Sequence, residues 1–518
     1  MSYGNKGPIS PSECSDMIRR AVEIGMMGNK LSSGFPREWL NRICAHVAVL
    51  LMKEGNVVNL KVSSRPRYVY TDLHGDLRQF LLWINDILDG EADLLFLGDY
   101  VDRGENAIEI LVILFLLKIA FPDHIHLLRG NHETPDLGNQ FGQDCHIQFG
   151  KDFDGLFNCV FDRMPLVALL DGEGCFKGEK IYCAHAGISP WFEVCPEKLQ
   201  TLSKYPDKNS LIEQLMVSDI IWSDPNLNDP GEKDGGFDVN YGVSARGVGL
   251  AFKAEGAKRA LAALGCNRMI RGHTQPPGQG YRDCFQERHL CLNIHSSSLG
   301  RKGLFNKPAT SSMARVAVST ENGRTSLKIT IKTSIHQPEE HEQATAILWN
   351  GLMVFYENLK EKIPELPGKI DPIAFYLVPM ETARRNYIDM DRTISHRQLV
   401  RMFEDAPKSK RISLSKENQA MRAVWIMRGL LNIYQNLPKI DLSFVNGSPE
   451  DFDYYVRLLR LLQVDYNISV DNVMVIRDLT VKNNALRESP EALRKFLEET
   501  SLKKKSSRRK RSWSTISS

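Results

Sequence analysis

Short apolar runs rich in β-branched and aromatic residues follow one another from about Arg67 onward. Such runs are typical of buried strands. We interpret four of them as strands, namely Tyr68–Thr71, Leu94–Leu97, His124–Leu128 and Ile181–Cys183. Helical stretches follow two of these runs, at Asp76–Leu88 and Asn106–Ala120. This alternation predicts an α/β sheet with a site at the carboxyl ends of its strands.

Alternating apolar and polar positions indicate a second group of strands further along the chain. The alternation covers Leu290–Ile294, Ala314–Ser319 and Ser326–Ile331. The segment Glu321–Arg324, which lies between the last two, contains an Asn-Gly pair. Because Asn-Gly is a strong short-range signal for a β-hairpin, we expect the last two strands to pair through it. The region therefore predicts a second sheet.

Helical patterns lie on both sides of these strands. Residues Ser10–Glu54 have a helical pattern, so we predict an N-terminal helical cap over residues 1–55. After about His336 the pattern becomes amphipathic, which predicts a mostly helical C-terminal domain over residues 340–500. Its predicted helices are Glu340–Leu359, Ile394–Phe403, Lys416–Leu437 and Glu450–Leu462. Residues 501–518 are basic and serine-rich, which predicts a flexible tail.

The composition is that of an ordinary globular protein of 518 residues, with 42% hydrophobic residues and a net charge of +3. Much of the positive charge lies in Lys503–Arg511, so the rest of the chain is slightly acidic and a nucleic-acid partner is not expected. The ten cysteines form no Cys-x-x-Cys pair, and Met1–Lys30 lacks the apolar run of a signal peptide. We therefore expect a reducing, cytoplasmic compartment.

Six motifs of polar residues and glycines carry the candidate chemistry. In chain order they are Thr71–Asp76, Gly98–Gly104, Gly130–Glu133, Ala184–Gly187, Ala245–Val248 and Arg271–His273. One Asp-x-His pattern is common by chance, but six motifs of this kind in one chain are not. Together they supply enough oxygen and imidazole ligands for two metal ions, with arginines to hold a phosphate group.

These motifs, in this order, resemble those of the PPP family of metallophosphatases, the protein serine/threonine phosphatases. The resemblance extends from about Tyr68 to about Gly300, and Ile221–Pro225 supports it. It implies a calcineurin-like β-sandwich flanked by helices, with a catalytic domain over residues 56–335. The overall fold class predicted is therefore α/β (α+β), followed by the helical C-terminal domain.

The resemblance implies a centre of two divalent metal ions that share one bridging carboxylate. The first ion would be held by Asp72 and His74, and Asp99 would bridge both ions. The implied ligands of the second ion are Asn131, His185 and His273. Mixed oxygen and imidazole ligands suit manganese, iron or zinc, of which we favour manganese.

The family mechanism, carried over to these positions, is direct hydrolysis of a phosphate ester. A hydroxide that bridges the two ions would attack phosphorus without a phosphoenzyme intermediate. Arg103, Asn131 and Arg246 would bind the phosphate oxygens. His132 would protonate the leaving alkoxide as a general acid, oriented by Asp102.

Several departures from the family pattern leave substrate alternatives open. The segment Asn293–Gly300 stands where the family has a loop with a characteristic tyrosine, and Thr71 stands where it usually has glycine. Phosphoserine and phosphothreonine are the expected substrates. A phosphotyrosine-directed phosphatase of the same fold and a dinucleoside polyphosphate hydrolase are the enzyme alternatives. A scaffold that binds phosphoproteins is the alternative without catalysis, although the complete set of ligands and arginines argues against it.

The order of the regions also resembles that of Wip-type phosphatase effectors, which intracellular bacteria inject into host cells. This resemblance implies an enzyme that is secreted into a host cell and acts on host phosphoproteins. The C-terminal domain and the basic tail would then bind a host protein or an anionic membrane surface. Cytoplasmic location without secretion remains the simpler alternative.

Overall fold

The computed structural model describes residues 8–134, 140–150, 153–175, 179–204, 211–227, 240–244, 246, 248–299, 310–335 and 343–363. The predicted helices Ile394–Phe403, Lys416–Leu437 and Glu450–Leu462 lie outside the described residues, as does the tail 501–518. None of the helices within these ranges is long and apolar enough to cross a membrane.

Two large sheets carry the described part of the chain. One has six strands in the order β1 (Val57–Val62), β5 (Val167–Gly172), β6 (Lys180–Ala184), β10 (Arg268–Arg271), β12 (Cys291–Ile294) and β11 (Tyr281–Asp283). The other has five strands in the order β14 (Arg324–Ile335), β13 (Thr310–Glu321), β2 (Arg67–Tyr70), β3 (Asp93–Phe96) and β4 (Ile125–Leu127). A small third sheet has the order β7 (Asp224–Pro225), β9 (Leu250–Phe252) and β8 (Tyr241–Val243).

The direction of the strands decides which strand ends lie together at an edge of each sheet. Strands β2, β3 and β4 are parallel neighbours. Strand β10 is parallel to both β6 and β12 in the other sheet. Because parallel strands end on the same side of a sheet, each sheet presents a row of strand carboxyl ends at one edge.

The two large sheets pack face to face around an apolar core. Leu60 and Leu170 of the six-stranded sheet belong to the same buried cluster as Val69 and Leu95 of the five-stranded sheet. The predicted β-sandwich of α/β class is therefore confirmed. The hairpin predicted at Glu321–Arg324 joins β13 to β14, with Asn322 and Gly323 both in the left-handed region as a two-residue turn of this type requires.

Helices cover the outer faces of the sandwich. They are α1 (Pro11–Met26), α2 (Arg37–Lys53), α3 (Leu77–Asn85), α4 (Ala107–Ala120), α5 (Gln140–Phe149), α6 (Asp154–Phe161), α7 (Trp191–Val194), α8 (Glu197–Thr201), α9 (Leu211–Trp222), α10 (Ala254–Ala263) and α11 (Gln343–Lys362). Helix α1 begins with a capping box, in which Ser10 and Glu13 exchange hydrogen bonds.

Helix α4 lies at the centre of the helical layer and is buried along its whole length. It packs against α1 and α2 on one side and is in the same apolar cluster as strands β3 and β4. Its two charged residues, Glu109 and Lys118, are buried too, and the Lys118 ammonium contacts the Glu54 carboxylate. The N-terminal helices therefore share one apolar cluster with the helical layer that packs on the five-stranded sheet.

Candidate metal centre

The predicted site residues lie just beyond the carboxyl ends of five strands from both large sheets. Asp72 and His74 follow β2, and Asp99 follows β3. Asn131 follows β4, so this half of the site comes from three neighbouring parallel strands. His185 and His273 follow β6 and β10 of the facing sheet. The edges of the two sheets meet here, which brings motifs from distant parts of the chain together.

The backbone at this edge adopts conformations that L residues rarely take. Among the described residues, eight other than glycine have a positive φ angle. Six of these belong to the predicted site, and they are Asp72, His74, Asp99, Asp102, Arg103 and His273. Left-handed backbone at such residues is uncommon and concentrates at functional sites. The close approach of the loops adds to this, because a Cβ on Gly98 would lie 2.2 Å from the Gly130 nitrogen.

The first cluster of candidate ligands forms around Asp72, His74 and Asp99. His74 Nε2 lies 3.8 Å from Asp72 Oδ1 and 3.5 Å from Asp99 Oδ2. All three side chains are almost completely buried. The other ring nitrogen of His74 lies 2.8 Å from the Val101 carbonyl oxygen, which fixes the ring so that Nε2 points at the carboxylates.

The second cluster forms around Asn131, His185 and His273. Asn131 Oδ1 lies 2.8 Å from His185 Nε2 and 2.8 Å from His273 Nδ1. The two ring nitrogens are 3.2 Å apart, and His185 Nε2 is 3.3 Å from Asp99 Oδ1. The two oxygens of Asp99 therefore face different clusters, as the predicted bridging role requires.

The chemistry of these atoms fits divalent metal ions. Asp72 Oδ1, His74 Nε2 and Asp99 Oδ2 are buried and have no hydrogen-bond partner among the described residues. Unpaired buried polar atoms are rare in folded proteins and need an explanation. Spacings of 3.5 and 3.8 Å are too long for hydrogen bonds, but ligand atoms that each lie about 2.1 Å from one ion can be up to about 4.2 Å apart.

His132 lies beside the first cluster and is more exposed than the other histidines of the predicted site, which are His74, His185 and His273. Its Nδ1 lies 2.6 Å from Asp102 Oδ2, and its Nε2 lies 3.8 Å from Asp99 Oδ2. Burial lowers the pKa of His132, but the negative charges of Asp99 and Asp102 outweigh this effect and raise the pKa to about 9. By contrast, burial lowers the pKa of His74 to about 3, so this ring is neutral, as the predicted role of a metal ligand requires.

Both predicted arginines lie beside the clusters. The Arg246 guanidinium forms an ion pair with Asp224 and donates a 3.0 Å hydrogen bond to Thr274 Oγ1. The Arg103 guanidinium has no hydrogen bond or ion pair within the described part of the chain, and its charge helps to lower the pKa of His74. One arginine is thus held in place, while the other is available for a ligand.

Several residues that hold the site together had no role in the sequence analysis. The Glu133 carboxylate accepts hydrogen bonds from the backbone nitrogens of Asp99, Tyr100 and Gly130, and so joins the second motif to the third. Asp224 accepts from the buried Arg271 guanidinium as well as from Arg246. The motifs contained Glu133 and Arg271, but only the folded chain reveals which backbone groups they bind.

His295 is a further residue of the site whose function the sequence did not predict. It is fully buried, and its Nδ1 lies 3.7 Å from Asp72 Oδ1. The available signal was its position inside the segment that departs from the family pattern.

Comparisons with known proteins agree with this architecture. Residues 66–277 match the family model of the calcineurin-like phosphoesterases. A putative serine/threonine-protein phosphatase of Caenorhabditis elegans is 32% identical over 234 residues, which are 44% of this chain and 57% of that protein. The PP2A-like serine/threonine-protein phosphatase PPG1 of Saccharomyces cerevisiae is 29% identical over 259 residues, which are 48% of this chain and 66% of that protein. The chain thus spans less than two thirds of the length of each of these curated relatives.

A solved structure shares the fold. It is a protein serine/threonine phosphatase from Saccharomyces cerevisiae with similarity to human phosphatase PP5, and it superposes with a TM-score of 0.50 at 20% identity. The superposition covers 64% of this chain and 98% of that one. The predicted resemblance to metallophosphatases is confirmed by the match of residues 66–277 to the calcineurin-like phosphoesterases.

Proposed function

We propose that this protein is a metal-dependent phosphoprotein phosphatase that hydrolyses phosphoserine and phosphothreonine esters. The observation that carries the proposal is the position of Asp99, whose two carboxylate oxygens face two separate clusters of ligand atoms. Divalent ions held there would supply a nucleophilic water at neutral pH and neutralise phosphate charge. The names of the curated relatives support the same class of substrate.

The residues around the clusters have the chemistry needed to bind a phosphate group. The Arg103 charge acts on His74 of the first cluster, and Arg246 lies beside the second, so each can present a planar guanidinium to phosphate oxygens. Arg246 approaches the centre from the His273 side, where its guanidinium also lies 3.4 Å from the His273 carbonyl oxygen. Asn131 would direct its amide towards the same phosphate, beside the ions. Charge on the phosphate would thus be matched by fixed donors before the reaction begins.

His132 is suited to protonate the leaving group. The Asp102 carboxylate beside Nδ1 raises the pKa of His132, which favours a ring that carries a proton on Nε2. Asp102 accepts the hydrogen bond from Nδ1 and therefore holds the ring in one orientation. A serine or threonine alkoxide is a strongly basic leaving group and needs this proton, whereas a phenolate needs it much less.

The test is turnover of matched peptides that differ only in carrying phosphoserine, phosphothreonine or phosphotyrosine, with diadenosine tetraphosphate as a fourth substrate. Wild-type protein, Asp99→Asn and Asp123→Asn would be compared in manganese, zinc or iron(II). Asp123 is an exposed aspartate outside the site, so its variant is the matched control. We expect phosphoserine and phosphothreonine turnover in the wild type and the control, and a loss of about 10³-fold in Asp99→Asn.

Other outcomes of this experiment would replace the proposal. Turnover of phosphotyrosine alone would assign a tyrosine phosphatase of the same fold. Turnover of the dinucleotide alone would assign a polyphosphate hydrolase. Tight metal binding without turnover of any substrate would leave a phosphoprotein-binding scaffold.

We further propose, from the sequence pattern alone, that the protein is a secreted effector and that the region after residue 363 directs it to a host protein or an anionic surface. The basic segment Lys503–Arg511 supports the electrostatic part of this proposal. Sedimentation of the full chain with vesicles would test it, with and without an anionic lipid. Binding that needs the anionic lipid and disappears when the basic residues are changed to glutamine is the expected result.

A further inference from the structure

His295 is a buried imidazole that no described residue satisfies. Its side chain is almost completely excluded from solvent, and both ring nitrogens lack a hydrogen-bond partner among the described residues. Burying an imidazole without any partner is unfavourable, so the folded protein is expected to provide one. The ring faces the same space as the His74 ring, and the two centroids are 6.3 Å apart.

The imidazole of His295 lies beside the Asp72 carboxylate. His295 Nδ1 lies 3.7 Å from Asp72 Oδ1, and that same oxygen lies 3.8 Å from His74 Nε2. Both distances exceed a hydrogen bond. Both are shorter than the limit of about 4.2 Å for two ligand atoms of one ion. His295 and His74 therefore lie at similar distances from this oxygen.

The hydrogen bonds of Asp72 distinguish a ligand from a residue that merely supports one. Asp72 Oδ2 accepts hydrogen bonds from Thr71 Oγ1 at 2.6 Å and from the His273 backbone nitrogen at 2.8 Å. These bonds fix the carboxylate and leave Oδ1 unpaired. Asp72 Oδ1, the oxygen that faces His295, is therefore the one left free for an ion. The carboxylate already has orienting partners, so His295 is not needed to orient it.

Backbone hydrogen bonds hold His295 in this position. Its nitrogen donates to the Gly280 carbonyl at 3.1 Å, and its carbonyl accepts from the Ser312 nitrogen. The next residue, Ser296, pairs with Thr71 of the first motif, since the Ser296 nitrogen donates to the Thr71 carbonyl and Ser296 Oγ accepts from the Thr71 nitrogen. The segment is thus attached to the strand that carries Asp72, and the imidazole is placed before any ion arrives.

We propose that His295 is a ligand of the ion bound by Asp72 and His74, so that this ion has two imidazole ligands. This proposal rests on the metal centre of the proposed function, and it gives the divergent segment Asn293–Gly300 a direct role in that centre. A second imidazole favours zinc, iron(II) or cobalt(II) over manganese, because imidazole nitrogen binds the later divalent ions more tightly. The expected ion is therefore zinc, iron(II) or cobalt(II) rather than the manganese favoured from the sequence motifs.

The test measures metal binding to the full chain rather than turnover. Wild type, His295→Ala and His289→Asn would be titrated with cobalt(II) against a chromophoric chelator, and their visible absorption spectra recorded. His289 is a suitable control because it lies outside the centre, its ring contacts Asp283, and asparagine tolerates its left-handed backbone. We expect His295→Ala to bind one of the two ions at least about 10-fold more weakly and to change the spectrum, with no change in the control.

A second variant covers the case in which His295→Ala disturbs folding. In His295→Cys, a thiolate at this position would give a near-ultraviolet thiolate-to-cobalt charge-transfer band that the wild type lacks. The melting temperatures of the metal-free variants show whether folding is affected. Unchanged affinity and spectrum in His295→Ala, or a folded His295→Cys with wild-type affinity and no new band, would overturn the proposal. Metal binding that depends on His295 in a protein without phosphatase activity would instead refute the proposed function alone.

Discussion

Two regions bury charged groups in different ways, namely the helical layer around α4 and the carboxyl ends of the strands. In the helical layer, Lys118 is 1% exposed and its charge is matched by Glu54. At the strand ends, Asp72 Oδ1 and Asp99 Oδ2 are equally buried but have no partner among the described residues. Since unmatched buried charges are unfavourable, the Lys118–Glu54 pair is stable as it stands, whereas the facing atoms of Asp72, His74 and Asp99 need a ligand. The comparison shows that several unpaired ligand atoms facing one another, rather than buried acidic residues as such, identify the site.

The largest expected effect on stability is that of divalent ions. An ion that binds only the folded state stabilises it by about 4 kcal/mol at 1,000 times its Kd. We expect the melting temperature to rise when ions replace chelator, and Asp99→Asn to lose most of this rise because its carboxylate faces both clusters. Calorimetry of wild type, Asp99→Asn and the exposed control Asp123→Asn measures it. A wild type that melts identically in chelator and in metal would show that the strand ends need no ion.

A second prediction concerns the paired charge in the helical layer. Replacing Lys118 by methionine removes the ammonium that pairs with Glu54 and leaves that carboxylate only His126 at 3.6 Å, and breaking such a buried pair costs about 3–4 kcal/mol. The double variant Lys118→Met with Glu54→Gln removes the unmatched charge, so it should recover part of the loss. Urea denaturation provides the free energies of unfolding. If the single and double variants were equally unstable, packing of the lysine stem rather than charge pairing would explain the effect.

The third prediction separates proton transfer from metal binding within the strand-end region. His132→Ala should reduce phosphoserine turnover by about 10²–10³-fold, because the alkoxide then leaves without a positioned proton donor. Phosphotyrosine turnover should fall less, and the stabilisation by metal should persist. Parallel assays on the two matched peptides provide the comparison, with His289→Asn as the control histidine variant. Equal losses on both peptides would argue against a general-acid role.

The sequence was informative where chemistry is local. Apolar runs that end in polar motifs predicted β2, β3, β4 and β6, because a buried parallel strand must be apolar along its length. The Asn322-Gly323 turn was predictable for a similar reason, since few residue pairs tolerate two left-handed conformations. Assignment of the motif residues to two ions came from family resemblance, and their individual roles stay predictions.

The sequence was not informative where the outcome depends on distant packing. The pairing of β1 with β5, and the position of β10 between β6 and β12, link segments that no local pattern connects. The role of Glu133 depends on three backbone nitrogens that only the folded loops bring together. His295 points at Asp72 because Ser296 pairs with Thr71, which lies more than two hundred residues earlier in the chain.

The smallest expected effect on stability concerns Glu109, a buried acidic residue of α4 that burial keeps uncharged. Burial raises the pKa of this carboxyl from its ordinary value of 4.5 to about 7, so the folded protein keeps it protonated where the unfolded chain does not. Its contribution to stability is therefore present below about pH 4.5 and is lost as the pH rises towards 7 and beyond.

The isosteric change Glu109→Gln removes this ionisable group. The difference in the free energy of unfolding between wild type and variant therefore reports the titration of Glu109. From the shift in pKa, wild type should lose about 2–3 kcal/mol relative to Glu109→Gln between pH 5 and pH 8. Urea denaturation of both proteins at the two pH values gives this difference, in which the titration of all other groups cancels. A difference that does not change with pH would mean that Glu109 is ionised in the folded state. Water or an ion would then have to reach Glu109, and this part of the α4 layer would resemble the strand-end site in needing a partner from outside the protein.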